Sequence, residues 1–497
     1  ALQDGHRLDG AERVGNPMQG YLGPVIQDKV PYITTTSRAD FLSAFNKRAN
    51  YHDAGRIDRR VRGICTRMIR KLVPTPMAPI TWDTDLYERW AMLFDSEKRN
   101  RMRKAYDSAG LETLSDYSNK QIFTKIEALV KPFDEVAPRI IFKGTDYYNM
   151  ISGPIMKELM DRFVSLENTL PDLKFRVSYR QHTPEIVEFL ETRPHSSWIE
   201  ADFSANDKTQ VKDVVELEIV FMRRLGAPKW FLDVHRAANR FSIHNTKYGL
   251  SAVVENQLPS GSTDGTFRNT FSNLCILNAW MVLHRVDSAD AVLLGDDMLA
   301  GLTKRKRRAA RTYRGVARAC RMEAKVTTHP CLHNAHFLSK HFVPVMRGSQ
   351  AHVMLPYIGK VLAKFNTRPN ANQSVNDDEY MAGKALSHCY EFRFCHVLRD
   401  KFKDRANYHL KRTGGKFSVE GVTWHVRVHS AYRDEIVQML GGSMEWPDLV
   451  SVDDLSLFWL GLADLTYGDV EDTIDRIILT TEYDVVDSTA AKSLVDY

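Results

Sequence analysis

The sequence predicts an α+β protein in which a small antiparallel sheet is backed by helices. Three observations lead there. Short apolar runs meet at paired polar residues, as strands meet at a hairpin; stretches of helical periodicity separate those runs; and 497 residues with 43% hydrophobic content suffice for two or three packed subregions.

The hairpin is clearest at Ala291-Val292-Leu293-Leu294-Gly295-Asp296-Asp297-Met298-Leu299-Ala300, where two apolar runs flank Gly-Asp-Asp. Such a turn carries two carboxylates to the end of a buried strand pair. Like charges side by side destabilise each other's ionised form, so a cation is the usual reason for keeping both, and hard oxygen donors favour Mg2+ or Mn2+. Gly beside Asp-Asp is also ordinary turn chemistry; its company upstream decides between the two readings.

Upstream, Trp198-Ile199-Glu200-Ala201-Asp202-Phe203 reads as a short strand that breaks at Ser204. A helical stretch follows, carried by Val211, Val214, Val215, Leu217, Val220, Phe221 and Leu225 and closed by Gly226 and Pro228. Asp202 is thus expected at a strand end, and Asp207 at the opening of a helix, where a carboxylate complements the helix dipole. Between this segment and the hairpin lies a loop rich in Gly, Ser and Thr, from Gln257 through Ser260-Gly261-Ser262-Thr263 to Asn273. It feeds a helix expected from Phe271 to His284, with Leu274, Ile276, Leu277, Trp280, Met281 and Leu283 inward. Small residues ahead of a helix let backbone approach phosphate or sugar; a turn with an N-cap is the plainer alternative.

Taken in order, Asp202-x4-Asp207, Ser260-Gly261-x7-Asn269-Thr270 and Gly295-Asp296-Asp297 resemble motifs A, B and C in the palm of viral RNA-dependent RNA polymerases. Lys125-Ile126-Glu127, Lys131 and Ala137-Pro138-Arg139-Ile140-Ile141 resemble the basic motif F of the fingers; Met322-Glu323-Ala324-Lys325-Val326 resembles motif D, and Phe337-Leu338-Ser339-Lys340 motif E. The Asp207-Lys208-x-Gln210 sequence is similar to plus-strand viruses of the alphavirus-like and tombusvirus-like supergroup. One position departs: the family's usual Thr four residues before the motif B Asn is Gly265 here, with Thr266 next.

The resemblance implies a right-hand polymerase with fingers, palm and thumb, copying RNA from NTPs. In that chemistry a 3′-hydroxyl attacks the α-phosphate of an NTP between two metal ions about 3.5 to 4 Å apart. Asp202 and Asp296 are the implied metal ligands. Asp297 joins them from the edge, as a water-mediated ligand or by positioning the primer terminus. Lys131 and Arg139, helped by Lys125, would neutralise the triphosphate. Asp207 and Asn269, with Ser260, Gly261 and Thr270 beside them, would sense the ribose 2′-hydroxyl, which is both donor and acceptor. Lys325 would protonate the leaving pyrophosphate, or be a surface lysine. Two alternatives stay open: a reverse transcriptase, separated by dNTP against NTP incorporation, and a non-catalytic RNA-binding replication subunit.

Charge agrees with a polyanionic partner. The chain carries +6, but thirteen acidic and two basic residues follow from Glu445, so the first 444 residues hold about +17. Basic clusters at 56–71, 98–104 and 304–308 suit template or product RNA, or solvated helix faces. Six scattered cysteines lack a disulfide framework, as in a reducing compartment. His329, Cys331, His333 and His336 form a candidate zinc cluster without a firm two-plus-two spacing.

Order along the chain places an N-terminal region and fingers at 1–195 (motif F at about 125–143), a palm at 196–345, a thumb at 346–444 and an acidic segment at 445–497 that packs on the thumb. Pro-rich 73–79 is an extended link within the first unit. No apolar run is long enough to span a bilayer. A start at Ala1 without Met reads as an excised piece of a replicase working in the host cytoplasm. Its other viral proteins would supply any membrane attachment.

Overall fold

The computed structural model describes residues 20–51, 53, 55–166, 170–203, 207, 209–369, 374–424, 433–442 and 444–497. Its centre is a five-stranded sheet in the spatial order Ala324–His329, Ser197–Phe203, Asp297–Leu302, Ala289–Leu294 and Leu173–Val177. The first four strands are antiparallel to their neighbours, as expected. The fifth is parallel to Ala289–Leu294, which corrects the purely antiparallel expectation. Strands 173–177 and 289–294 are far apart in sequence, and so long a crossover lets the chain return in the same direction.

Period-two alternation divides this sheet into two faces. Ile199, Ala201, Phe203, Ala291, Leu293, Met298, Ala300 and Val326 bury themselves against the helices Arg59–Leu72, Asp146–Val164, Lys212–Arg224 and Gly265–Leu283. Phe221 of this core stacks on Phe271 with ring centroids 4.7 Å apart and meets Phe163 edge-on at 5.0 Å. On the opposite face, Trp198, Val292 and Leu299 pack with Phe337, Phe342 and Met354 of a three-stranded sheet. That smaller sheet is built from His336–Phe337, Lys340–Pro344 and His352–Pro356.

A further sheet joins Ile140–Gly144, Lys120–Thr124, Arg240–Asn245 and Leu250–Glu255 around Phe41, Ile122, Phe142 and Phe241. Residues 240–255 thus belong with 120–144, although chain order puts them in the 196–345 unit. The C-terminal helices Val452–Ala463, Tyr467–Leu479 and Thr489–Val495 share a core with helices Ile358–Phe365, Asp377–Glu391 and His396–Arg412. Near the start of the described chain, Val25–Ile26 pairs in parallel with Val485–Val486, so this early segment also sits in that core. The Pro-rich link at 73–79 is held from outside: Arg224 donates to the Val73 and Pro74 carbonyls at 2.8 and 2.7 Å.

Two helix starts differ from expectation. The helix expected from Phe271 begins at Gly265, because buried Arg268 interrupts the apolar period ahead of Phe271 without interrupting the helix. Asp207 does not open its helix; Lys212–Arg224 starts five residues later behind Val211, and Ser204–Asn206 and Lys208 lie outside the described residues. Among the described residues, no helix is long and apolar enough to cross a membrane.

Candidate active site

The carboxylates gather at one end of the sheet face opposite the helices. Asp202 is the penultimate residue of Ser197–Phe203, and Asp297 opens Asp297–Leu302. These strands pair with Met298 opposite Ala201, and one step further along that register sets Asp297 across from Asp202. On its other side Asp202 faces Lys325, directly opposite on Ala324–His329. Among the described residues neither Asp202 nor Asp297 makes an ion pair. Burial, followed by the charge of Asp202, pushes the Asp297 carboxyl up to about 6, against a backbone N–H from Leu338 and the more distant Lys340. Asp202 is also raised, by desolvation first, while Lys325 eases it and Glu200 opposes it.

The donor to Asp297 comes from the turn within Phe337-Leu338-Ser339-Lys340. Leu338 and Ser339 link two strands with φ of 52° and 58°, a two-residue arrangement that ordinarily takes Gly or Asn. A bulky Leu is thus held in left-handed backbone beside a carboxylate cluster.

Asp296 occupies the turn between Leu294 and Asp297, next to Gly295 at φ 58°. Glycine supplies that left-handed position without a Cβ penalty. Both backbone groups of Gly295 are held by the helix Gly265–Leu283: its N–H donates to Thr270 Oγ1 at 2.9 Å, and its carbonyl accepts from Asn273 Nδ2 at 3.2 Å. Thr270 also donates to the Thr266 carbonyl at 2.6 Å and is fully buried. The Thr270 hydroxyl thus braces the turn that carries Asp296. Sequence reasoning missed Asn273, although it lies three residues on, over the same helix face.

Asp207 and Asn269 do come together, with Asn269 Nδ2 donating to Asp207 Oδ1 at 3.2 Å. Desolvation raises the Asp207 carboxyl, and Asn269, Arg268 and Arg48 oppose the shift. The adjoining loop is pinned where Phe142 N–H donates to the Ser260 carbonyl at 3.1 Å. Gly261 follows at φ 89°, a conformation that a side chain would strain.

Of the expected cations, Arg139 grips Glu127 with Nε at 3.0 Å and Nη2 at 2.5 Å, and Lys125 lies 4.0 Å from the same carboxylate. Lys131 is exposed nearby, with its charge felt at Lys364. Sequence reasoning missed Arg48, in the last turn of helix Arg38–Arg48. Its guanidinium stands in the field of Arg139, Glu127 and Asp207, and burial lowers its pKa. Its Nε is buried without a hydrogen-bond partner among the described residues.

Beneath the loop lies a second ionic cluster. Arg268 is buried with Nε 2.8 Å from Glu218 and Nη1 3.5 Å from Asp264, while His235 stands 3.8 Å from Asp264. Burial pushes Glu218 up to about 7 against the pull of Arg268, with Asp264 adding to the rise. The anticipated zinc group divides: Cys331 is exposed, and His329 and His336 meet Glu200, with His333 outside. All six cysteines are free thiols.

A sequence profile described as RNA dependent RNA polymerase matches residues 11–432. The chain belongs to the RNA-dependent RNA polymerase family. Among curated proteins, the chain is similar to the replicase large subunit of Tobacco rattle virus isolate PpK20, at 25% identity over 198 residues. That match covers 37% of this chain and 11% of the relative. The replicase large subunit of strain SYM matches with the same identity and coverage. The polymerase chain thus aligns with a small part of each relative's length. Within the polymerase, the Asp202, Asp296 and Asp297 neighbourhood and the Asp207–Asn269 pair lie inside the matched 11–432 region.

Proposed function

We propose that the polymerase extends RNA on an RNA template from NTPs, and that Asp202, Asp296 and Asp297 hold Mg2+ or Mn2+. One observation carries this reading: two carboxylates face each other across adjacent strands, make no ion pair among the described residues, and the charge of Asp202 adds to the proton affinity of Asp297. An all-oxygen donor set with surplus negative charge fits a hard divalent cation. When bound, such ions supply Lewis-acid stabilisation of the attacking and departing oxygens.

The remaining steps fall to side chains. Asp207 and Asn269 orient the ribose by offering its 2′-hydroxyl an acceptor and a donor. Arg48 meets the triphosphate, joined by Arg139, Lys125 and Lys131 from the segment between strands Lys120–Thr124 and Ile140–Gly144; Glu127 holds Arg139 at the rim until phosphate competes for it. Lys325, opposite Asp202, holds the proton destined for pyrophosphate. Gly261 lets the backbone after Ser260 come close to the nucleotide. The five-stranded sheet serves as palm, residues 120–144 with 240–255 as fingers, and the C-terminal helical core as thumb. Basic clusters before Glu445 line the RNA path, and other replicase proteins provide cellular placement.

The test is NTP incorporation on an RNA template by the wild type and by Asp296→Ala. Incorporation by the wild type and loss of it in the variant is the expected result. Equal activity in both overturns the assignment, and preference for dNTPs would make the enzyme a reverse transcriptase.

A further inference from the structure

Further down the carboxylate face, three residues from separate segments converge on one point. Glu200 precedes Asp202 by two positions on its strand, His329 ends the neighbouring strand, and His336 begins the hairpin that carries Leu338. Each offers one ligand atom, and these atoms all lie within 4.8 Å of one another. His336 Nδ1 stands 3.0 Å from Glu200 Oε1, and His329 Nε2 contacts the same oxygen. The group is half-buried, with side-chain exposures of 21% for Glu200, 11% for His329 and 31% for His336. Behind it, His341 is 4% exposed, its ring centroid lies 5.1 Å from that of His336, and its Nδ1 has no hydrogen-bond partner among the described residues.

We propose that Glu200, His329 and His336 bind a zinc ion distinct from the Asp202, Asp296 and Asp297 site. Two imidazoles and one carboxylate are a donor set for zinc; magnesium, which prefers oxygen ligands throughout, is a poor match. The fourth tetrahedral position falls to water or to His341. A buried imidazole nitrogen left without a partner is costly, which is a reason for His341 to stand beside a cation. The ion ties the strand bearing Asp202 to the hairpin whose Leu338 N–H holds Asp297. Its role is therefore structural, fixing the geometry of the catalytic carboxylates from behind. Zinc binding is read without RNA or nucleotide, so this proposal stands or falls separately from the polymerase mechanism.

The test uses the full chain, stripped with chelator, incubated with zinc chloride and passed through a desalting column. The expected result is about one zinc per chain by elemental analysis, with a tetrahedral absorption spectrum when cobalt replaces zinc. His329→Ala and His336→Gln should each weaken binding at least tenfold and abolish the zinc-dependent rise in melting temperature, whereas Asp297→Asn should retain the ion. Circular dichroism checks folding; His336 is the more exposed ligand, so its variant carries the test if His329→Ala does not fold. Absence of stoichiometric zinc from the wild type overturns the proposal and leaves a hydrogen-bonded strut. So does retention by a folded His329→Ala/His336→Gln double variant. Loss of zinc on Asp297→Asn with retention in the histidine variants would place the metal among the aspartates and also overturn it.

Discussion

Asp202 and Asp297 meet across two strands without an ion pair among the described residues, whereas Glu218 and Asp264 meet around the guanidinium of Arg268. Both clusters put two carboxylates close together. In the second, the fold has built in its own cation; in the first it has not. Removing two charges from water is costly unless geometry and hydrogen bonds compensate, and Arg268 provides that compensation inside the core. The first cluster keeps its repulsion, and the proposed metal site rests on that difference.

The largest expected effect breaks the first cluster. Asp297→Asn should lower RNA synthesis about 10^3-fold, the equivalent of about 4 kcal/mol in the barrier. Thermal melting should be unchanged or slightly higher, because repulsion with Asp202 is relieved. A fall in melting temperature matching that of an Arg268 variant would erase the contrast. Arg268→Met attacks the second cluster, leaving Glu218 and Asp264 buried without their cation. Denaturant unfolding should show a loss of about 3 to 5 kcal/mol. A loss below about 1 kcal/mol would mean that the carboxylates neutralise by protonation without needing the arginine.

Arg48 sharpens the contrast: its Nε has no partner among the described residues, whereas Arg268, though its Nη2 is also unpartnered there, is held by two carboxylates. Arg48→Gln should raise KM for NTP about tenfold, about 1.4 kcal/mol, and leave kcat within about twofold. Steady-state kinetics at saturating template checks it, and an unchanged KM removes Arg48 from the triphosphate site.

The last expected effect is a pH slope. Folding raises the Glu218 carboxyl from 4.5 to about 7, so the folded chain holds this proton more tightly than the unfolded chain does. The associated stability is fully present below the unfolded value and declines as pH rises toward 7, by up to about 1.4 kcal/mol per pH unit. Glu218→Gln should flatten that part of the profile in melts across this range. An identical profile in the variant would show that Glu218 is ionised in the folded state throughout.

Local pattern determined the hairpin around Gly295, the strand ending near Asp202 and the helix ending at Arg224, because alternation and turn residues act over a few positions. It also pointed to the family, since the motifs that resemble it are spacings along one chain. It failed where a polar residue was buried: Arg268 disguised the start of its helix, and the hold of Thr270 and Asn273 on the Gly295 turn left no local signal. It also failed where partners were distant. The alternation of His, Cys and His after residue 328 suggested a local metal loop, yet the carboxylate that meets His329 comes from Glu200, 129 residues earlier. Arg48 and the pairing of residues 25–26 with 485–486 were equally beyond local reading. The sequence by itself determined the family to which the chain belongs, through residue types at short spacings. Only tertiary structure decided which carboxylates find a cation and which are left facing each other, because that depends on contacts whose loop-closure entropy is repaid by a shared core.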